Sequence, residues 1–328
     1  MSTTFKVVAT DRVAREGLAP LQEDERFWVV RFEDSSDPAF VGELESAAGL
    51  IVRSATMVDA AMLDVAPDLK VVGRAGVGVD NIDVDAASER GVAVMNAPAG
   101  NTIAAAELTM ALLLSVVRRV AEADRSIREG RWERAKFQGV ELRGRTLGVI
   151  GAGRIGSAVA ERCRAFGMKV VVHDPYLPPE RLDSLRAPVL RLERLLETAD
   201  VVTLHVPLTE ETKALIDEST IRLMKPGAFL VNVSRGGVID EEALARALVD
   251  GHLAGAGLDV YETEPIPAES PLLGAPNLVL TPHLGASTTE AQVQVALEVS
   301  SSLRAALVYG DMSAAINAAE IARAAGLS

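Results

Sequence analysis

Residues Thr146 to Asp174 constrain this chain more than any other stretch. An apolar run, Thr146-Leu147-Gly148-Val149-Ile150, ends in Gly151-Ala152-Gly153-Arg154-Ile155-Gly156. A helical stretch then runs to Phe166 and is stopped by Gly167; a second apolar run, Met168 to His173, ends on Asp174. Strand, glycine turn, helix, strand and acid in that order describe a βαβ unit built around a phosphate. Gly151 allows the tight turn, Gly153 lets backbone approach a pyrophosphate, and Gly156 lets helix and strand pack closely. The helix start adds unpaired N–H groups and the positive end of its dipole. An acid closing the next strand is placed to bond ribose hydroxyls. Its charge repels a 2′-phosphate, so Asp174 points to NAD rather than NADP.

A hydrophobic content of 48% over 328 residues is enough for two domains with cores of their own. The single cysteine, Cys163, excludes an internal disulfide and suits a reducing cytoplasm; inside the helix after the glycine turn it reads as a packing residue. The opening Met1-Ser2-Thr3-Thr4-Phe5-Lys6 lacks a basic and apolar signal region. The most apolar helix candidate, Ile103 to Val117, is too short to span a membrane and carries Glu107. A formal charge of −13 disfavours nucleic acid and anionic membranes, and makes any local cluster of arginines more telling. The expectation is a cytoplasmic protein acting on a small molecule, with no nucleic acid, membrane or metal.

Strand-like runs alternate with helical stretches, which predicts α/β architecture with parallel sheets. Before the glycine turn the strands read as Phe5–Thr10, Phe27–Phe32, Gly49–Arg53, Leu69–Gly73 and Val92–Asn96. After it they read as Ala199–Val206, Ala228–Ser234, Gly255–Val260 and Asn277–Thr281. A final helix, Thr288 to Val308, precedes a short apolar strand candidate, Ala314-Ala315-Ile316. A complete five-stranded unit thus lies before the nucleotide turn, which predicts insertion of one domain into another. Residues 1–98 and 286–328 would form a substrate-binding domain and 99–285 an NAD-binding Rossmann domain. The crossovers at Ala97-Pro98-Ala99-Gly100 and near Gly285-Ala286 read as hinges. Two consecutive domains split near residue 120 are the competing arrangement.

Four histidines are present. His173 lies inside the strand before Asp174, where packing or a place beside the cofactor is expected. His252 follows Asp250-Gly251 and reads as an exposed cap. His205 ends a strand before Val206-Pro207 and reads as lining the cofactor edge. His283 follows the strand Asn277–Thr281 and opens the loop Leu284-Gly285-Ala286-Ser287. Ligands of open parallel sheets sit beyond the carboxyl ends of strands, and His283 is there. Arg235 and Glu264 occupy equivalent strand ends. Together the three supply what alcohol oxidation needs. A histidine can take the hydroxyl proton as hydride leaves carbon. A carboxylate beside it orients the ring. A guanidinium can grip a substrate carboxylate with two parallel hydrogen bonds.

At these segments the chain resembles the NAD-dependent D-2-hydroxyacid dehydrogenases. The similarity runs through Leu50-Ile51-Val52-Arg53-Ser54-Ala55-Thr56, Val72-Gly73-Arg74-Ala75-Gly76-Val77-Gly78-Val79-Asp80-Asn81 and Gly100-Asn101-Thr102. It continues through Ala105-Ala106-Glu107-Leu108, Gly130-Arg131-Trp132-Glu133-Arg134, the Gly151 turn, Val233-Ser234-Arg235-Gly236-Gly237 and Pro282-His283-Leu284-Gly285-Ala286-Ser287-Thr288. The resemblance implies the inserted two-domain arrangement, with Arg235, Glu264 and His283 as the catalytic residues. It implies NAD contacts at Val77, Gly151, Gly153, Arg154, Ile155, Gly156, Asp174, His205, Val206, Pro207, Val233, Ser234, Arg235, Asp259, His283, Leu284, Gly285 and Ala286.

Within that family the chain is most similar to the phosphoglycerate-oxidising branch, which implies conversion of 3-phospho-D-glycerate to 3-phosphohydroxypyruvate, the entry to serine biosynthesis. That branch surrounds its substrate at positions matching Arg53, Ser54, Arg74, Gly76, Asn101 and Arg134, with Arg235 and His283. A phosphate and a carboxylate together need several guanidinium or amide donors. The plainer reading of Arg53 and Arg74 is a surface ion pair. The resemblance also implies a homodimer or homotetramer, with Arg134 reaching the neighbouring subunit and Trp132 packing across the interface. The apolar helix Ile103 to Val117 is the candidate for much of that contact, or for an internal helix. Two departures stand out. Many relatives continue past Ile316-Asn317-Ala318 into a serine-sensing regulatory domain, whereas this chain stops at Ser328; if it is full length, that inhibition is absent. Val77 stands where many relatives have a hydroxyl residue near the nicotinamide. Two alternatives stay open: a glyoxylate or hydroxypyruvate reductase, and an NAD-sensing corepressor-like interaction protein.

Overall fold

The computed structural model describes residues 4–178, 180–181 and 186–324; residues 1–3 and 325–328, which the sequence reading places in the first domain, lie outside them. The chain divides into two compact units, Met1–Asn101 with Ala286–Ser328, and Thr102–Gly285.

The first unit holds β1 (Phe5–Ala9), β2 (Phe27–Arg31), β3 (Gly49–Val52), β4 (Val71–Arg74) and β5 (Ala93–Asn96). All four pairings are parallel, in the order β2-β1-β3-β4-β5. A parallel sheet must be covered on both faces, so its strands read as short continuous apolar runs. β3 is buried at every position. One face is covered by the helix Thr289–Tyr309, whose Val295, Ala296, Val299 and Leu303 join Val7, Ile51, Val71 and Met95 in one core. Thr288 caps this helix by accepting from the Ala291 N–H at 3.1 Å, and Gly310 ends it in the left-handed conformation, φ 68°. The opposite face forms a second core around Val8, Leu44, Leu50, Val72 and Val94.

After Gly310 the chain returns to β5. Ala315 makes a single antiparallel bridge to Met95, and the Ile316 N–H donates to the Val94 carbonyl at 2.9 Å. The strand expected at residues 314–316 is therefore only a bridge. Its continuation is replaced by a side chain. Fully buried Asn317 accepts from the Val94 N–H at 2.8 Å and donates to the Val92 carbonyl at 3.0 Å and to Ser88 Oγ at 2.9 Å.

The second unit holds β6 (Thr146–Ile150), β7 (Lys169–His173), β8 (Val201–Leu204), β9 (Ala228–Asn232), β10 (Leu253–Leu258) and β11 (Leu278–Leu280). They pair in parallel in the order β11-β10-β9-β8-β6-β7. A parallel bridge from Val172 to Val189 adds one more step beyond β7, too short to register as a strand in the sequence. Strand order reverses between β6 and β8, the point at which doubly wound sheets open a crevice.

The helix Thr102–Val117 lies against β9 and β10, where glycines admit it: a Cβ at Gly255 would come 2.6 Å from Val116 Cγ1. Its residues Ala106, Leu112, Leu113, Val116 and Val117 belong to the unit's own core, while Ile103 is exposed. The helix stops at Val117, and Arg119 just beyond it is left-handed at φ 53°. Cys163 packs in the same core, 3.5 Å from Met110 Sδ, and burial pushes its thiol up to about 12. No helix among the described residues is long and apolar enough to cross a membrane.

Asn317 joins the carboxyl-terminal return to β5 through buried groups alone. Asn317→Ala would strand the Val94 N–H and the Val92 carbonyl, at about 1–3 kcal/mol for each unsatisfied group. The expected outcome is a lower thermal unfolding midpoint, by several degrees, measured by calorimetry against the unaltered chain.

Candidate active site

The sheet of the second unit positions every group that matters here at the carboxyl ends of its strands. At the switch point β6 runs into Gly151, left-handed at φ 89°. A Cβ there would come 2.6 Å from the carbonyl oxygen of His205, the residue after β8, so only glycine fits. Gly156 is equally fixed, since a Cβ would stand 2.0 Å from the Gly151 carbonyl oxygen. Gly153 differs: a Cβ would meet nothing within 4 Å, and the space beside it is open. Gly153 also precedes the helix Arg154–Ala165 without offering a side-chain cap, which leaves that helix start to a ligand anion. Across the turn, Asp174 accepts from the Ala152 N–H at 2.8 Å and from the Tyr176 N–H at 3.0 Å. The carboxylate is thereby held at the end of β7, where ribose hydroxyls would lie. This cradle fits a nicotinamide dinucleotide: Gly153, Arg154 and Ile155 could hold its pyrophosphate and Asp174 its adenosine ribose.

His205 is enclosed beside this turn. Burial pushes its ring down to about 3, so it stays neutral, and its Nε2 lies 3.0 Å from Thr203 Oγ1 while Nδ1 is buried without a protein partner. Two other histidine rings are each tied to a carbonyl: His173 Nδ1 is 3.0 Å from that of Leu190, and His252 Nε2 is 2.9 Å from that of Ile221. His252 is half-buried, not the exposed cap expected, because that hydrogen bond ties it to a neighbouring helix.

Beyond β10 and β11 the arrangement becomes chemical. His283 Nδ1 stands 2.7 Å from Glu264 Oε2, with both side chains partly open to solvent. A carboxylate can only accept, so Nδ1 carries the proton and Nε2 is left as the ring's acceptor. His283 is left-handed at φ 54°, a conformation uncommon for a residue with a side chain. What holds it there is Asp259, fully buried at the end of β10. The Asp259 carboxylate accepts from the Leu284 N–H at 2.7 Å, the Gly285 N–H at 2.8 Å and Thr281 Oγ1 at 2.6 Å. Its carbonyl accepts from the His283 N–H at 2.9 Å. Burial raises the Asp259 carboxyl above its ordinary value, against these hydrogen bonds, which favour the charged form. Glu264 is held in turn by the Tyr261 N–H at 3.1 Å, and the Tyr261 hydroxyl donates to the Thr281 carbonyl at 2.8 Å.

Arg235 follows β9 through Val233 and Ser234. The turn depends on Asn232, a buried residue that the sequence reading passed over. Its Oδ1 accepts from the Ser234 N–H at 2.9 Å and from Ser234 Oγ at 2.7 Å, and its Nδ2 donates to the Arg235 carbonyl at 2.9 Å. Arg235 Nη1 donates to the Ser234 carbonyl at 2.7 Å. The next residue, Gly236, lies so close to the Tyr261 loop that a Cβ would stand 1.7 Å from the Tyr261 carbonyl oxygen. The Arg235 turn and the Glu264 loop are therefore in direct contact.

The first unit presents its own polar rim at the ends of β3 and β4. Arg53 is half-buried and, among the described residues, makes no salt bridge, so it is not the surface ion pair of the plainer reading. Arg74 lies across Gly76, where a Cβ would come 1.6 Å from Arg74 Nη1. Ser54 is exposed, and Asn101 Oδ1 is buried without a hydrogen-bond partner. Val77 is half-buried, its carbonyl accepting from Asn96 Nδ2 at 2.5 Å. Arg134, on the second unit, is exposed at the start of the short 3-10 turn Arg134–Phe137. Among the described residues no cluster of His, Cys, Asp and Glu is arranged to hold a metal ion.

Gly236→Ala would drive a methyl into the Tyr261 carbonyl. Overpacking of this kind costs about 1–3 kcal/mol. A lower unfolding midpoint together with reduced turnover is the expected result, read by calorimetry and steady-state kinetics.

Known proteins share this family and fold. Residues 110–285 match the family model described as D-isomer specific 2-hydroxyacid dehydrogenase, NAD binding domain. The chain is 48% identical over 298 residues to a D-3-phosphoglycerate dehydrogenase of Bacillus subtilis, covering 90% of this chain and 56% of that protein. It is 47% identical over 312 residues to that of Mycobacterium bovis, covering 95% of this chain and 58% of that protein. The chain thus spans little more than half the length of these curated relatives. A solved structure from Thermus thermophilus superposes with a TM-score of 0.84 at 41% identity, covering 95% of this chain and all of the other. A D-lactate dehydrogenase of Aquifex aeolicus, solved with NAD and lactic acid, gives 0.79 at 32% identity, covering 94% of this chain and 96% of the other.

Proposed function

The chain belongs to the D-isomer specific 2-hydroxyacid dehydrogenases, and on that premise we propose that it oxidises 3-phospho-D-glycerate to 3-phosphohydroxypyruvate with NAD. The observation that carries the chemistry is the His283–Glu264 pair at 2.7 Å. Nε2 of His283 takes the hydroxyl proton as the C–H bond of the alcohol carbon breaks and its C–O bond becomes a carbonyl. Bound NAD supplies the acceptor for the departing hydride. Glu264 keeps the proton on Nδ1 and balances the charge that the ring gains. Arg235 grips the substrate carboxylate and, in the reverse direction, polarises the neighbouring carbonyl. Arg53, Ser54, Arg74, Gly76 and Asn101 are the phosphate and carboxylate contacts of the first unit. The relatives named D-3-phosphoglycerate dehydrogenase support this substrate, and so does an Arg53 cation that has no carboxylate of its own.

The same reading makes the protein a cytoplasmic homodimer or homotetramer in which Arg134 serves a neighbouring subunit's site, next to Trp132, which is highly exposed in the single chain. Asp174, held by two N–H groups, favours NAD over NADP. Replacing it with Ala should relax that preference, seen as a smaller ratio of kcat/KM for NADH over NADPH.

His283→Asn should lower kcat by roughly 10²–10⁴-fold, the range that general acid–base catalysis supplies. A loss under tenfold would remove His283 from the proton-transfer role. Substrate choice is tested by NADH oxidation with 3-phosphohydroxypyruvate beside hydroxypyruvate and glyoxylate. A hundredfold preference in kcat/KM for the phosphorylated acid, about 2.7 kcal/mol of discrimination, is expected. Equal turnover of the unphosphorylated acids would make the protein a glyoxylate or hydroxypyruvate reductase. Tight NADH binding with no turnover of any 2-oxo acid would make it an NAD-sensing interaction protein.

A further inference from the structure

The Arg53-Ser54-Ala55-Thr56 turn after β3 is held by the side chains of Asp11, Thr56 and Asn81. Asp11, just past β1, is buried and left-handed at φ 58°. Its Oδ2 accepts from the Arg53 N–H at 2.9 Å and the Thr56 N–H at 3.0 Å, and its Oδ1 accepts from Thr56 Oγ1 at 2.6 Å. From the other side, Asn81 Nδ2 donates to the Arg53 carbonyl at 2.7 Å and the Thr56 carbonyl at 2.6 Å. Both main-chain groups of Arg53 and of Thr56 are thus fixed from within the unit.

This arrangement directs the Asp11 charge away from the guanidinium. Both carboxylate oxygens already accept hydrogen bonds from the turn, and Arg53 Nη1 reaches only the Asp11 carbonyl, at 3.5 Å. Burial accordingly lowers the Arg53 pKa by more than the field of Asp11 raises it. A half-buried cation in that condition gains from an incoming anion what water and protein do not supply.

We propose that Asp11, Thr56 and Asn81 are positioning residues for the substrate's phosphate: they set the Arg53 turn so that its guanidinium stands half-buried and un-neutralised where the phosphate docks. The inference rests on the phosphorylated substrate proposed above. It concerns how the phosphate is recognised, not how hydride and proton move, so its effects fall on KM for the phosphorylated acid.

The test compares Thr56→Val, Thr56→Ser, Asp11→Asn and Arg53→Ala in this chain, each with 3-phosphohydroxypyruvate and hydroxypyruvate, and each with inorganic phosphate as a competitive inhibitor. Thr56→Val removes the hydroxyl that Asp11 accepts from while nearly keeping shape; Thr56→Ser restores it. The expected result is a fall of about tenfold in phosphate preference for Thr56→Val and Asp11→Asn, through KM, with inorganic phosphate inhibiting less and Thr56→Ser restoring both. If Arg53→Ala abolishes the preference while Thr56→Val and Asp11→Asn hold it within twofold, the positioning role is overturned and the substrate reading stands. Equal losses on both acids would show a merely structural role and overturn it too. If Arg53→Ala itself leaves the preference intact, the phosphate reading fails at Arg53, and the inference with it.

Discussion

Parallel pairing is the constraint from which the rest of this molecule follows. Because every strand in both sheets runs the same way, every strand ends on one rim of its sheet, and the chain must cross back by a helix or long loop before the next begins. In the second unit that rim collects the Gly151 turn, Asp174, His205, Arg235, Glu264 and His283, although they lie up to 132 residues apart in sequence. In the first unit it collects Asp11, Arg53 and Arg74. The inner strands, such as β3, β8 and β9, are buried and apolar and do no chemistry. Their role is to deliver loops to a common edge, where backbone direction leaves N–H groups and side chains facing outward.

Each unit then solves the same problem in the same way. A loop at a sheet edge has backbone polar groups that no strand partner satisfies, and it must nevertheless hold a reactive side chain in place. Buried carboxylates and amides do this. Asp259 collects the N–H groups of Leu284 and Gly285, and Asn232 closes the Ser234–Arg235 turn. Asp11 and Asn81 do the equivalent for Arg53 and Thr56. Division of labour follows from burial. The groups that orient are enclosed, while Arg53, Arg235, Glu264 and His283 remain open enough to meet a ligand. His205 marks the contrast: its Nδ1 is buried, and burial disfavours its charged form.

The physical signals that read well in the sequence are local ones. Apolar runs ended by Gly, Pro or Asp placed the strands to within two or three residues, since a buried parallel strand has to be apolar along its length. The glycine turn was readable because each glycine answers a steric demand within a few residues. Features that depend on a distant partner were misread or passed over. His252 looks like an exposed cap until the Ile221 carbonyl is brought beside it. Residues 314–316 look like a strand because nothing nearby tells that Asn317 replaces the next pairing. Which face of the helix Thr102–Val117 enters the core is likewise decided by β9 and β10, which lie against it.

The sequence by itself determined the fold class, the nucleotide turn with its acid, and the identities of the strand-end residues, because periodicity, glycine spacing and residue chemistry are carried within a few neighbours. Tertiary structure alone decided which of those residues touch. Glu264 and His283 stand 19 positions apart, and only adjacency of the β10 and β11 rims closes them to 2.7 Å. Asp11 and Thr56 stand 45 apart, and only the pairing of β1 with β3 lets one carboxylate hold the other's turn. Asp259, Asn232, Asp11 and Asn81 have ordinary side chains in an ordinary sequence. Their roles come from being buried beside unpaired backbone, a property of the fold that no local stretch of sequence contains.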